Sequence, residues 1–170
     1  FRKAELHDSK GLASVHINSW RTTYQGIVSQ EYLQSLSIGE KEDKWVQILS
    51  GAHDTYVCTM EDNKIAGFVS IGKERSGVYE GELYAIYILK EYQGRGIGEK
   101  LFELAISKLK KQGFNSMWIW VLKENPSKHF YYRYKPILVK EERLKIGKEF
   151  HQEEGLLLKF NEIEKRLGQN

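Results

Sequence analysis

Cysteine is almost missing from this 170-residue chain: Cys58 stands alone. That excludes an internal disulfide and any cysteine-rich metal site. A lone thiol suits a reducing compartment, so the expected location is cytoplasmic. Proline occurs only at Pro126 and Pro136, and no low-complexity linker divides the chain. One domain over residues 1–170 is therefore expected. No apolar run is long enough to span a bilayer, and the opening Phe1-Arg2-Lys3-Ala4-Glu5 leads into no apolar signal segment. A strong charge excess is absent too. The 26 Lys and Arg against 23 Asp and Glu leave only +3, and lysines scattered among glutamates argue against nucleic-acid binding. His7, His16, His53 and His151 show no metal-ligand spacing, so no metal is expected.

What the chain does have is apolar mass, 41% of its residues, enough for one sizeable core. Its periodicity changes along the chain. Asp8 is placed to cap a helix through Leu12, Val15, His16 and Trp20, and Ser29 a shorter one through Tyr32, Leu33 and Leu36. A third helix around Trp45 and Ile48 ends near Gly51. From Thr55 the pattern turns to strands: 55–60, 65–71 and a long 78–89, separated by turns at 61–64 and 76–77. On the last strand, alternation puts Leu83, Ala85 and Tyr87 on one face, with Glu82, Tyr84, Ile86 and Ile88 on the other. A helix from about Gly96 to Gly113 follows, its last turn rich in lysine. Then come a buried strand at 116–122, a helix near Pro126 and a hairpin about Gly147. Helices followed by antiparallel strands, then helix, strand, helix and hairpin, make an α+β fold. Its sheet should be mixed, mainly antiparallel and six- to seven-stranded, with flanking helices.

The sharpest motif is Gln93-Gly94-Arg95-Gly96-Ile97-Gly98, between a strand and a helix. Three alternate glycines let the backbone approach a ligand closely. The amides of the first helical turn have no intrahelical acceptor and sit at the positive end of the helix dipole. Loop and turn together make an anion cradle that suits a pyrophosphate. A Walker loop would need Gly-Lys-Ser/Thr where this chain has Gly98-Glu99-Lys100. A dinucleotide fingerprint would need its third glycine one residue later, in a parallel βα unit.

Gln93–Gly98 resembles the pyrophosphate loop of the GCN5-related N-acetyltransferase (GNAT) family. Leu83–Ile88 is similar to that family's fourth strand, and Asn125–Tyr131 to the Asn…Phe-Tyr segment after its fifth. The resemblance implies a GNAT-like acyl-CoA N-acyltransferase fold. It also implies a transferase using acetyl-CoA as cosubstrate, with a small-molecule amine or peptide N-terminus as acceptor and a homodimer as a fitting assembly. The implied cofactor-binding residues are Ile86, Tyr87 and Ile88 on the strand, Gln93, Gly94, Arg95, Gly96, Ile97, Gly98 and Glu99 in the loop, and Asn125 and Tyr131 downstream. An acyl-CoA-binding module without turnover is the competing reading.

Amide formation needs a neutral amine and a protonated leaving thiolate, so an acid and a base are sought. Tyr131 is the candidate acid. The chain departs from the family just after it, with Tyr132-Arg133-Tyr134-Lys135 where members usually have Glu-x-Leu-Gly, so Tyr132 stays open as its substitute. Glu82 is the candidate base, in the position of a glutamate that some family members use. Trp20 and Tyr24 are candidates for the acceptor pocket.

Overall fold

The computed structural model describes residues 1–167. Its single sheet has seven strands: β1 (Arg2–Lys3), β2 (Asp54–Thr59), β3 (Ile65–Lys73), β4 (Gly81–Ile88), β5 (Ser116–Leu122), β6 (Ile137–Ile146) and β7 (Glu149–Lys159). Their spatial order is β1-β2-β3-β4-β5-β7-β6. Only β4 and β5 run parallel, and the other neighbours are antiparallel. The helices are α1 (Ser9–Thr23), α2 (Gln30–Ser35), α3 (Ile38–Leu49), α4 (Ile97–Lys111), α5 (Lys128–Tyr132) and α6 (Phe160–Leu167). The expected mixed α+β sheet with flanking helices is the architecture found.

The helices cover the sheet on both faces. On one, Leu101, Phe102, Ala105 and Leu109 of α4, one stripe at helical spacing, are fully buried against Val69, Ile71, Met117 and Ile119. On the other, Leu12, Val15 and Trp45 from α1 and α3 pack on Phe68 and Val57. Each such side chain contributes roughly 1.5–3 kcal/mol by leaving water. Strand β5 is apolar from Met117 to Leu122 because both faces are covered, as parallel neighbours require. None of the helices among the described residues is long and apolar enough to cross a membrane.

Several boundaries differ from the sequence pattern for local reasons. The Ser29 hydroxyl accepts the Tyr32 N–H at 3.3 Å and so caps α2 as expected. Asp8 precedes α1 but its side chain does not cap that helix. Its carboxylate instead accepts from the Arg2 guanidinium at 2.7 and 2.8 Å and from the Glu5 N–H, which ties β1 to the helix. Strand β4 begins at Gly81 rather than 78, because the Glu74 carboxylate accepts the Ser76, Val78 and Tyr79 N–H groups and holds that stretch as a turn. Helix α3 is capped at Ser50 rather than Gly51. Helix α5 starts two residues beyond Pro126, and α6 follows β7, where the sequence pattern shows only the end of a hairpin.

Two irregularities in β4 shape everything that follows. Ser70 and Ile71 of β3 face Ala85 and Leu83, so Tyr84 is an extra, bulged residue. A bulge shifts the alternation by one. Leu83, Ile86 and Ile88 consequently pack on the α4 side, and Ala85 and Tyr87 on the α1 side. Glu82, next to Leu83, falls on the α1 side, so the expected shared face for Glu82 and Ile86 does not form. The second irregularity is that β4 and β5 pair only from Gly81–Leu83 to Met117–Ile119. Beyond that point the sheet splays.

Candidate active site

The splay opens a cleft of about 630 Å³ between β4 from Leu83 to Ile88 and β5 from Trp120 to Leu122. From the α4 side it is lined by Gln93, Gly94 and Gly96–Glu99. From the α1 side it is lined by Trp20 and Tyr24, together with Leu144, Ile146 and Glu153 of the β6–β7 hairpin. A parallel strand pair that separates leaves backbone groups on its inner edges without ladder partners, and an extended ligand can take their place.

The glycine loop has the geometry of an anion cradle. Gly94 and Gly96 hold φ of 73° and 77°, the left-handed region that other residues enter only at a cost. A Cβ built on either would meet nothing within 4 Å, so both backbone positions front open space. Gly96 is the residue before α4. The amides of Ile97, Gly98 and Glu99 behind it form the first turn, with no carbonyl of their own helix in reach. Gln93 braces this arrangement, its Nε2 donating to the Ile88 carbonyl at 3.0 Å. Arg95 alone of the loop turns away from the cleft. It donates to the Glu91 carbonyl at 3.0 Å and lies over the Tyr92 ring. The loop thus fits a pyrophosphate through backbone amides, without the Arg95 charge.

Beyond the loop stands a group of hydroxyls. Tyr131 lines the cleft, its ring packed against Phe102 and Phe130. No described residue hydrogen-bonds to its phenol. Burial pushes the phenol pKa up, and nearby Tyr24 adds to the shift, so the group stays protonated through the neutral range. Tyr132 points elsewhere: its hydroxyl donates to Glu154 Oε2 at 2.9 Å. Burial and that carboxylate raise its pKa to about 12. Adjacent tyrosines of one short helix therefore serve different surfaces. Asn125 Nδ2 donates to the Tyr24 hydroxyl at 3.2 Å while Oδ1 accepts the Ser127 N–H at 2.8 Å. Trp20 Nε1 donates to the Tyr87 hydroxyl at 2.9 Å. These bonds fix Tyr24, Tyr87 and Asn125 around the point where Tyr131 enters.

Glu82 is not among the residues lining the cleft. It is buried, and its carboxylate accepts the Arg75 main-chain N–H at 3.0 Å and the guanidinium at 2.5 and 3.1 Å. A carboxylate so occupied braces the β3–β4 turn, and that engagement is the physical reason against its expected part as base. The remaining candidates, Ile86, Tyr87, Ile88, Gln93, Gly94, Gly96, Ile97, Gly98, Glu99, Asn125 and Tyr131, all line the one cleft. Glu153 lines it as well and was not singled out from the sequence. Its signal there is only alternation in the last hairpin, where His151, Glu153 and Gly155 share a face.

Comparison with known proteins agrees with this geometry. The model of the acetyltransferase (GNAT) family matches residues 17–134. The chain belongs to the GNAT family. An uncharacterized N-acetyltransferase of Bacillus subtilis (strain 168), YuaI, is 44% identical over 149 residues, covering 86% of this chain and 84% of that protein. A spermidine N(1)-acetyltransferase of Thermoplasma acidophilum is 30% identical over 139 residues, covering 78% and 84%. Among solved structures, the PaiA N-acetyltransferase of Thermoplasma acidophilum in complex with coenzyme A superposes with a TM-score of 0.74. It is 24% identical, with 93% of this chain and 96% of that one covered. The GNAT fold is thus shared across the domain, and the activity it brings is acetyl transfer.

Proposed function

We propose that the chain transfers the acetyl group of acetyl-CoA to a primary amine by direct attack within a ternary complex. One observation carries the reading. The splay between β4 and β5 places a glycine anion cradle and an unpartnered, protonated phenol along one cleft. The cradle holds the pyrophosphate on backbone amides, and the free edge of β4 at Ile86 to Ile88 holds the pantetheine arm as a neighbouring strand would. Bound acetyl-CoA supplies an activated acyl group. The chain orients it and offers an amide of β4 to the thioester oxygen as charge develops there.

Tyr131 is the proton donor. Its raised pKa keeps the proton available until the sulfur, whose ordinary pKa is near 8.5, becomes basic enough to take it. Asn125 positions the cleft by tethering Tyr24. With Glu82 held by Arg75, the amine proton leaves through water on the α1 side. The amine acceptor is supported by the spermidine-acetylating relative and by a similar protein of Haemophilus influenzae named for acetylating an alanine of ribosomal protein bS18. A free-thiol release assay with acetyl-CoA and a panel of amines tests the proposal. Amine-dependent thiol release is the expected result. Tight CoA binding with no thiol release from any amine would instead make the chain a binding module.

A further inference from the structure

On the α1 side of the cleft, one charge is left without a partner. Glu153 of β7 faces Leu122 of β5 and Glu142 of β6. It is half-buried in the cleft wall. Its carboxylate has no hydrogen bond and no ion pair with any described residue. Neighbouring charges are already satisfied. Arg75 is held by Glu82 at 2.5 Å, and Lys140 pairs with Glu142 at 2.8 Å. Apolar and aromatic side chains of the same cleft wall include Trp120, Leu122 and Ile146, with Gly155 leaving room for the Trp118 and Trp120 rings. Burial, then Glu142, push the Glu153 pKa up, while Arg75 and Lys140 oppose the shift from a distance. An unpaired carboxylate in such a wall is costly unless a ligand supplies the cation.

We propose that Glu153 binds an ammonium group of the acceptor, and that the preferred acceptor is a diamine or polyamine without a carboxylate. The inference rests on the acetyl-transfer reading above. An amine must be neutral to attack, so the charge that Glu153 compensates belongs to a second group on the same molecule. An amino acid acceptor would bring its own carboxylate against Glu153, and the two cations that act on Glu153, Arg75 and Lys140, are already held by Glu82 and Glu142.

The test compares 1,4-diaminobutane, n-butylamine and 4-aminobutanoate with the wild type and E153Q. Wild type should favour the diamine over butylamine by about tenfold to a hundredfold in kcat/KM, the usual weight of a hydrogen bond to a charged group. E153Q should bring that ratio near one through the diamine KM, with the KM for acetyl-CoA unchanged. The proposal is overturned by a wild type that does not prefer the diamine, by a preference that survives in E153Q, or by an equal fall in kcat for both amines. If the wild type releases no thiol with any amine, the transfer reading fails, and calorimetry of the CoA-loaded protein with 1,4-diaminobutane decides the role of Glu153 alone. Binding that E153Q abolishes supports it, and no binding to wild type overturns it.

Discussion

Replacing Gly96 with alanine separates what the loop does for the fold from what it does for a ligand. Gly96 has φ of 77°, and its Cβ position faces open space. Alanine there meets no protein atom and costs only backbone strain, about 1–2 kcal/mol. For a chain of this size that lowers Tm by about 2–8 °C. Gly113 provides the control. At the other end of α4 it holds φ of 88° with equally open space, so Gly113→Ala should lower Tm by a similar amount. The two variants part company at the ligand. On the proposed reading, the new methyl at Gly96 stands where a pyrophosphate would approach the first-turn amides. Losing two charge-assisted hydrogen bonds at about 1.5–3 kcal/mol each corresponds to at least a hundredfold weaker CoA binding. Calorimetry with CoA and thermal melts of both variants provide the readings. A folded Gly96→Ala protein that binds CoA within a few-fold of Gly113→Ala would refute the cradle.

Tyr131→Phe should lower kcat by about a hundredfold or more with CoA affinity retained. Tyr132→Phe should leave kcat near wild type and lose only the bond to Glu154, about 1 kcal/mol in a denaturant titration. Glu82→Gln sets an amide donor against Arg75 and should cost about 1–3 kcal/mol of stability. Its pH–rate profile should keep the wild-type shape, and a selective loss at neutral pH with recovery at high pH would restore Glu82 as the base. His16 stacks on Tyr87 among aromatic rings, and its Nδ1 has no hydrogen-bond partner. Burial, with Lys41 and Lys44 adding, lowers its pKa from 6.5 to about 3. Between those values the unfolded chain binds a proton that the folded chain refuses. Its contribution is therefore intact above pH 6.5 and lost as pH falls, by about 2 kcal/mol at pH 5. Urea midpoints at pH 7.5 and pH 5 should show that loss, and His16→Phe should remove it.

The parts of the molecule readable in the sequence are those governed by local periodicity. The Gln93–Gly98 loop, the apolar run of β5, the stripe of α4 and the turn at Gly147 each carry their signal within a few residues. Long-range pairing is not written that way. The bulge at Tyr84 is defined only by its partners Ser70 and Ile71, yet it sends Ile86 and Glu82 to opposite faces. The Arg75–Glu82 pair closes a turn whose shape depends on Glu74, and no spacing rule announces it. Tyr131 and Tyr132 are indistinguishable as letters. Glu154 draws one of them aside, leaving the other in the cleft. Glu153 was illegible because β7 carries glutamates on both faces, and only the splay of β4 from β5 decides which of them meets the cleft.

The central claim, acetyl transfer within that cleft, is tested most directly by following both products of one reaction. Thiol release and acetylated amine, the second by mass spectrometry, are measured together for wild type and Tyr131→Phe at saturating acetyl-CoA with 1,4-diaminobutane. The account predicts equal amounts of the two products from wild type and about a hundredfold slower formation of both by the variant. Thiol released without acetylated amine, or a variant as fast as wild type, would contradict it.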